Sequence, residues 1–265
     1  MAHLVTNRTS QGVVCKICGM SSKLFDEADV LKRYRARYFR CATCGFIQAE
    51  DPYWLEEAYS SAIGAQDVGI IQRNIVNCAK TSAILHLLFP RTTRSVDYGG
   101  GHGMLVRMMR DRGFDFSWFD LYATNNYARG FEAQKDLTYD FLTAFEVLEH
   151  LTDPVSDLSA MMSLSDNVFV STCIVPQPVP KLSEWWYYSL SGGQHISFYT
   201  IESLRLLAAR FGRNLLSVGP YHLFTKERKS RPLYRLATNV RTAQIVNKIY
   251  HRSGLTESDY HQMTR

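Results

Sequence analysis

The segment Ser95-Val96-Asp97-Tyr98-Gly99-Gly100-Gly101-His102-Gly103-Met104 decides the fold, because it carries the chain from a short strand through a glycine-rich turn into a helix. Glycines at 99, 101 and 103 let the backbone bend sharply and leave bare amides at a helix N-terminus, where a polar ligand can lie against them. The order Gly-x-Gly-x-Gly behind an aspartate lacks the wider final spacing of the dinucleotide-binding fingerprint. About 20 residues further on, Phe116-Ser117-Trp118-Phe119-Asp120 places an acidic side chain at the end of a second strand, where it can accept hydrogen bonds from both hydroxyls of a ribose.

Outward from this turn the pattern alternates. Arg94–Asp97, Phe116–Phe119, Phe141–Phe145, Val168–Thr172 and Leu215–Val218 read as strands, and Met104–Arg112, Pro154–Leu164 and Ile201–Phe211 as helices. Parallel strands need long crossovers, so the alternation predicts an α/β fold: a mostly parallel, Rossmann-like sheet with helices on both faces. Upstream, Tyr53–Phe89 reads as largely helical, broken at Ser60–Gly69, with an apolar stripe through Ile75, Ala79, Ala83 and Leu87, and stopped by Pro90. Downstream, Leu233–His251 sets Leu236, Val240, Ile245 and Ile249 among basic residues. Packing on its own domain is the expected role of that helix, with a pocket cover, a dimer contact or a membrane-surface contact as the other readings.

Four of the six cysteines form two tight pairs, Cys15-Lys16-Ile17-Cys18-Gly19 and Cys41-Ala42-Thr43-Cys44-Gly45. A Cys-x-x-Cys knuckle aims two thiolates at one ion, and two knuckles close a tetrahedral zinc site with no open position for catalysis. A small zinc ribbon is therefore expected, with strands at Val30–Arg40 and Phe46–Gln48 and an end near Asp51-Pro52. Cys78 and Cys173 are expected to be small buried residues rather than nucleophiles.

The chain of 265 residues holds one large α/β domain with appendages and excludes two full catalytic domains. Hydrophobic residues at 46% supply a real core. No run reaches the ~18 apolar residues of a membrane span, and MAHLVTNRTSQG at the start lacks the apolar core of a secretory signal, so a cytoplasmic location is expected. The net charge of +5 is a weak argument for nucleic acid. Basic residues cluster at Lys32, Arg33, Arg35, Arg37 and Arg40 and again from Lys226 to Arg252, and each cluster reads first as a solvated face.

The stretch Phe145-Glu146-Val147-Leu148-Glu149-His150, followed by Asp153-Pro154 as N-cap and first residue of a helix, delivers polar groups to the edge of the sheet. It resembles a signature of class I S-adenosylmethionine-dependent methyltransferases, and with the glycine loop and Asp120 the resemblance spans roughly residues 92–220. The resemblance implies a seven-stranded sheet, the cofactor across its C-terminal edge, and in-line methyl transfer from the sulfonium. Carried onto this chain, Asp97, Gly99, Gly101 and Gly103 would hold the methionine portion, Asp120 the ribose, and Glu146 would lie near the reacting methyl. His102 would either touch the cofactor or face solvent as a turn residue. The expected organisation is then a zinc-ribbon module over 1–52, a helical connection over 53–90, a cofactor-binding methyltransferase domain over 91–225 and a basic helical tail over 226–265.

For the acceptor, the aromatic-rich segment Glu184–Thr200 is the expected pocket, with buried core as the competing reading, and His195 within it the expected general base, since imidazole titrates near neutral pH. A structural role for His195 is the competing reading. A four-cysteine module ahead of such a domain is similar to sugar-nucleotide C-methyltransferases, but of their His-Glu-His stretch only the last histidine is kept at Gly192-Gly193-Gln194-His195. The expected acceptor is accordingly a sugar, nucleotide sugar or glycan, methylated on oxygen or carbon. Glu146, Glu149 and His150 also resemble in spacing the metal ligands of small-RNA terminal 2′-O-methyltransferases, with His195 in the place of that family's one distant histidine, which makes RNA methylation the second reading. The same short signature occurs in many metal-free relatives, so structural zinc is the one metal expected. A non-catalytic zinc-ribbon binding protein is the third reading, disfavoured by the intact glycine loop and ribose acid.

Overall fold

A computed structural model describes residues 12–60, 67–91, 93–134 and 136–264 of the chain. In chain order the strands are β1 (Val13–Val14), β2 (Ser21–Val30), β3 (Tyr34–Cys41), β4 (Ile47–Ala49), β5 (Arg94–Tyr98), β6 (Asp115–Phe119), β7 (Phe141–Phe145), β8 (Asn167–Ser171), β9 (Ser197–Phe198), β10 (Asn214–Val218) and β11 (Tyr221–Thr225). The helices are α1 (Leu55–Ala58), α2 (Ile70–Leu88), α3 (Met104–Asp111), α4 (Pro154–Leu164), α5 (Ile201–Arg210), α6 (Arg231–Thr238), α7 (Val240–Ile249) and α8 (Thr256–Met263). Part of the expected break at Ser60–Gly69 lies outside the described residues.

The chain divides into two compact units, the first made of Met1–Ser60, Glu149–Val155 and Cys173–Leu207, the second of Ser61–Leu148, Ser156–Thr172 and Ala208–Arg265. This division cuts across the four contiguous segments expected from the sequence, because Glu149–Val155 and Cys173–Leu207 fold with the N-terminal strands.

The first unit is built on an antiparallel sheet in the order β1-β2-β3-β4-β9. The expected single strand over Val30–Arg40 is instead the end of β2, a turn, and β3. Leu31 and Lys32 take left-handed φ values of 53° and 57°, and the Arg33 amide closes the turn on the Val30 carbonyl at 3.0 Å. Alternation of residue type continues through the turn, so the sequence carries no mark of it, and polar β2 offers no apolar face to find. The core of this unit gathers Tyr38, Trp54, Tyr187, Tyr188, Ile196 and Phe198, each at most 2% exposed. The Trp54 indole N–H donates to the Gly193 carbonyl at 2.8 Å. The aromatic run expected to form a pocket is thus mostly core, with Trp186 exposed at 77%. Burying rings is worth about 1.5–3 kcal/mol each, which here outweighs keeping them open to a ligand.

The second unit holds a mixed sheet in the order β10-β11-β8-β7-β5-β6. Strands β6, β5, β7 and β8 run parallel; β11 pairs antiparallel with β8, and β10 antiparallel with β11. Among the described residues six strands stand where the resemblance implied seven, and beside β6 these residues show one isolated bridge, Trp118 to Glu132, with the Trp118 amide donating to the Phe131 carbonyl and the Ala133 amide to the Trp118 carbonyl, both at 2.7 Å. Strand β11 follows a turn at Gly219, is buried along its whole length, and carries His222, whose polarity hides the strand in the sequence.

Helices α6 and α7 pack against α2. The stripe expected along α2 is buried at Ala79 and Ala83 and half-buried at Leu87, with Ile75 43% exposed. In α6 and α7 the apolar positions are displaced: Leu236, Val240, Ile245 and Ile249 face solvent while Tyr234, Ala237, Thr238 and Ala243 are buried. The cause is a break: Asn239 leaves the helical region (φ −82°, ψ 126°) and its side chain caps α7 through the amides of Arg241 and Thr242 at 3.0 and 3.3 Å. The helical phase restarts there, so positions in register on one continuous helix are not on one face. Among the described residues no helix is long and apolar enough to cross a membrane.

Candidate functional site

Strands β5, β6 and β7 end together along one edge of the parallel sheet, and each delivers one part of the expected cofactor constellation. Beyond β5, Gly99, Gly101 and Gly103 take φ values of 71°, 54° and 84°, which side-chain-bearing residues rarely adopt. The Gly99 and Gly100 amides donate to the Phe119 carbonyl at 2.8 and 3.1 Å, tying the loop to the end of β6. A Cβ at Gly103 would stand 2.6 Å from Asn125 Oδ1, so this glycine serves packing. At Gly101 a Cβ would meet nothing within 4 Å, so open space lies against its backbone.

Asp120 follows β6. Its Oδ1 accepts from the amides of Tyr122 and Ala123 at 2.7 and 2.8 Å, and its Oδ2 from the Gly101 amide at 2.9 Å. Three amides thus fix the carboxylate beside the open face of Gly101, and a carboxylate has lone pairs to spare for hydroxyl donors. Asp97 is different. It is 4% exposed, accepts from Thr143 Oγ1 at 2.6 Å, and burial pushes its pKa up to about 7. His102 places Nδ1 3.0 Å from the Thr124 carbonyl, a contact that holds the loop.

Beyond β7, Glu146 takes a left-handed φ of 54°, a strained conformation for a residue with a side chain. Its Oε1 accepts from Ser171 Oγ at 2.6 Å, and its amide donates to the same Oγ at 3.0 Å. An open backbone face at Gly101, a fixed carboxylate at Asp120 and a strand-end acid at Glu146 suit an adenosine-containing ligand at the C-terminal edge of the sheet.

His195 belongs to the first unit and stands there with Glu149 and His150; one ligand atom from each of the three lies within 4.8 Å of the others. The His150 and His195 rings meet edge to face with centroids 4.9 Å apart. His195 Nδ1 lies 2.7 Å from the Tyr187 carbonyl, and His150 Nδ1 lies 2.9 Å from Tyr59 Oη. Burial, reinforced by the neighbouring His195, pulls the His150 pKa down to about 3, so this ring is neutral at physiological pH. Sequence reasoning did not find Tyr59, because nothing local distinguishes it from the other aromatics of Tyr53–Phe89.

The four paired cysteines also come together, with all their sulfurs within 4.8 Å of one another. Cys15 Sγ lies 3.6 Å from Cys44 Sγ and Cys18 Sγ 3.5 Å from Cys41 Sγ. Those separations are far beyond a disulfide and close to the ~3.8 Å edge of a tetrahedron whose metal–sulfur bonds are about 2.3 Å. Gly19 and Gly45, at φ 74° and 73°, turn each knuckle back so that their amides donate to the Cys15 and Cys41 carbonyls at 2.9 and 3.0 Å. The residues fit one zinc ion. Cys78 is fully buried and Cys173 half-buried.

The nearby basic cluster is largely spent on ion pairs. Arg33 pairs with Glu57 at 3.2 Å, Arg35 with Glu27 and Asp29 at 3.3 and 3.4 Å, and Arg37 with Glu50 at 2.8 Å. Such neutralised guanidinium groups are a poor phosphate-binding surface.

A family model described as a methyltransferase domain matches residues 72–218. Among curated proteins no match was found. Of the solved structures the chain resembles, magnesium protoporphyrin IX methyltransferase from Synechocystis, with bound SAH, is 14% identical (TM-score 0.40; 65% of this chain and 94% of that one covered). TnmH is 19% identical (TM-score 0.48; 65% and 60% covered). Human N-acetylserotonin methyltransferase in complex with SAM is 15% identical (TM-score 0.43; 66% of each chain covered).

Proposed function

The chain belongs to the methyltransferase family, and on that premise we propose that it moves the methyl group of S-adenosylmethionine to a small-molecule acceptor, a hydroxyl of a sugar, nucleotide sugar or glycan. The observation that carries the reading is the fixed Asp120 carboxylate 2.9 Å from the amide of Gly101, beside open space. When bound, the cofactor supplies a methyl on a positively charged sulfur, which an acceptor oxygen takes in line.

Asp120 accepts the ribose hydroxyls, and Gly101 gives the methionine portion a bare backbone to lie on, in a loop that the left-handed turns at Gly99 and Gly103 shape and Asp97 braces from within. Glu146, its conformation held by Ser171, stands at the strand end nearest the reacting methyl. His195 activates the acceptor hydroxyl: with Nδ1–H donating to the Tyr187 carbonyl, its Nε2 keeps a lone pair for that task. Cys15, Cys18, Cys41 and Cys44 hold a structural zinc ion, which orders the strands around them, and a reducing cytoplasm keeps those thiols available.

The test is incubation of the zinc-loaded protein with S-adenosylmethionine and, separately, nucleotide sugars, glycan fragments and RNA, read by mass spectrometry for one added methyl. Methylation of a carbohydrate is expected. Methylation of RNA alone would overturn the acceptor assignment.

A further inference from the structure

Along α7, Val240, Arg241, Gln244, Ile245, Lys248 and Ile249 are exposed, and their spacing sets them on one face of the helix. The other side is fixed against α2: Ala243 is fully buried, and Asn247 Nδ2 donates to the Ala79 carbonyl at 2.8 Å. Helix α6 adds Arg235 and Leu236 to the outward surface, while Tyr234 and Ala237 belong to the core of the second unit. Where the two helices meet, Arg231, Pro232, Arg235, Leu236, Asn239 and Thr242 line an open groove.

The chemistry of this face selects its partner. From Arg228 to Thr256 the chain has no Asp or Glu, and among the described residues Arg231, Arg235, Arg241 and Lys248 make no ion pair. The cluster at Arg33–Arg37, by contrast, is neutralised by Glu57, Glu27, Asp29 and Glu50. Unpaired surface cations draw an anionic partner. Between them stand exposed aliphatic side chains, Leu236, Val240, Ile245 at 56% and Ile249 at 70%. Nucleic acid pairs such cations with phosphate but stacks its bases on rings, and gives branched aliphatic tips little to bury against. A second copy of the chain, docked about a two-fold axis, would set cation against cation. A bilayer of anionic phospholipid meets both demands, with phosphates at headgroup level and acyl chains just beneath.

We propose that the outward face of α6 and α7 docks the folded chain on an anionic phospholipid surface. Arg231 and Arg235 hold lipid phosphates in the groove, Arg241 and Lys248 hold them along α7, and the four aliphatic side chains seat at the boundary between headgroups and acyl chains. No refolding is required, because α2 already holds α7 with that face outward. Each cation brought to such a surface tightens binding about fivefold, and the aliphatic tips add to that. The face shares no residue with the cofactor constellation at Gly101, Asp120 and Glu146, so docking goes beyond methyl transfer and stands without it.

The test is cosedimentation of the full-length, zinc-loaded protein with vesicles of equal parts phosphatidylglycerol and phosphatidylcholine, beside vesicles of phosphatidylcholine alone. Binding to the anionic vesicles only, weakened by added salt, is expected. The triple change Arg231→Gln, Arg235→Gln and Arg241→Gln is expected to weaken it about 100-fold, at about fivefold per cation. The double change Ile245→Ser and Ile249→Ser, which leaves the charge as it is, is expected to weaken it about tenfold. All five positions are exposed, so both variants keep the fold, which circular dichroism checks. Failure of the wild-type protein to bind anionic vesicles, equal binding to neutral ones, or undiminished binding by either folded variant would overturn the proposal. So would binding of a single-stranded RNA that anionic vesicles fail to displace, since the cations would then serve nucleic acid. Should a variant not fold, the paired wild-type titrations decide by themselves.

Discussion

Asp97 carries the clearest pH signature of any single residue in the second unit. Its carboxyl is pushed from an ordinary value of 3.8 up to about 7 by burial, so between those values the folded chain keeps a proton that the unfolded chain releases. Stability from this group is therefore present below pH ~4 and is lost as the pH rises toward 7. Asp97→Asn is expected to flatten that fall, a difference readable by urea unfolding of both proteins at pH 5 and pH 7.5; parallel curves would contradict the burial argument. Asp120 is the residue proposed to act on the ligand. Asp120→Ala removes the proposed ribose acceptor and frees the Gly101 amide, and is expected to weaken S-adenosylmethionine binding by about 10–100-fold, in line with a lost charged hydrogen bond worth about 1.5–3 kcal/mol. These residues are legible in the sequence because the glycine loop and the acid after β6 are local signals. Glu149, His150 and His195 are less so: 44 positions separate the last two, and only the folded strands bring them together.

Among the elements, the breaks are the informative features. Asn239 separates α6 from α7 and satisfies two amides at the start of the second helix. Asn239→Ala is expected to cost about 1 kcal/mol, measured by denaturant midpoint at unchanged slope. Helix α8 is held by a buried clamp, with Arg110 donating to both Asp259 oxygens at 2.9 and 2.7 Å and each residue nearly enclosed. Asp259→Ala leaves a buried guanidinium short of its partner and is expected to cost about 3–5 kcal/mol, whereas a surface pair would cost under 1. Periodicity located β5 to β8 and α2 to α5 well, because amphipathic or apolar runs mark them. It failed at Leu31–Lys32, at β11 and at Asn239, where a turn, a polar buried residue or a change of phase leaves residue type uninformative.

At the scale of the whole molecule, two units interleave along one chain, and a reading that moves from one end to the other draws contiguous domains where the fold draws discontinuous ones. The aromatic run at Glu184–Thr200 shows the cost of this: taken alone it looks like a pocket, whereas packed with β2 to β4 and Trp54 it is largely core. The four cysteines were legible, since two short repeats need no tertiary context. Chelating the zinc proposed for them is expected to lower the melting temperature and release one equivalent of metal that Mn²⁺ does not replace, which parallel metal analysis and calorimetry check. The central claim concerns the sheet edge, and calorimetric titration of the zinc-loaded protein with S-adenosylmethionine, its demethylated product and NAD tests it most directly. Micromolar binding of both methionine cofactors, with none of NAD, is the predicted result; binding of NAD, or of none of the three, would contradict it.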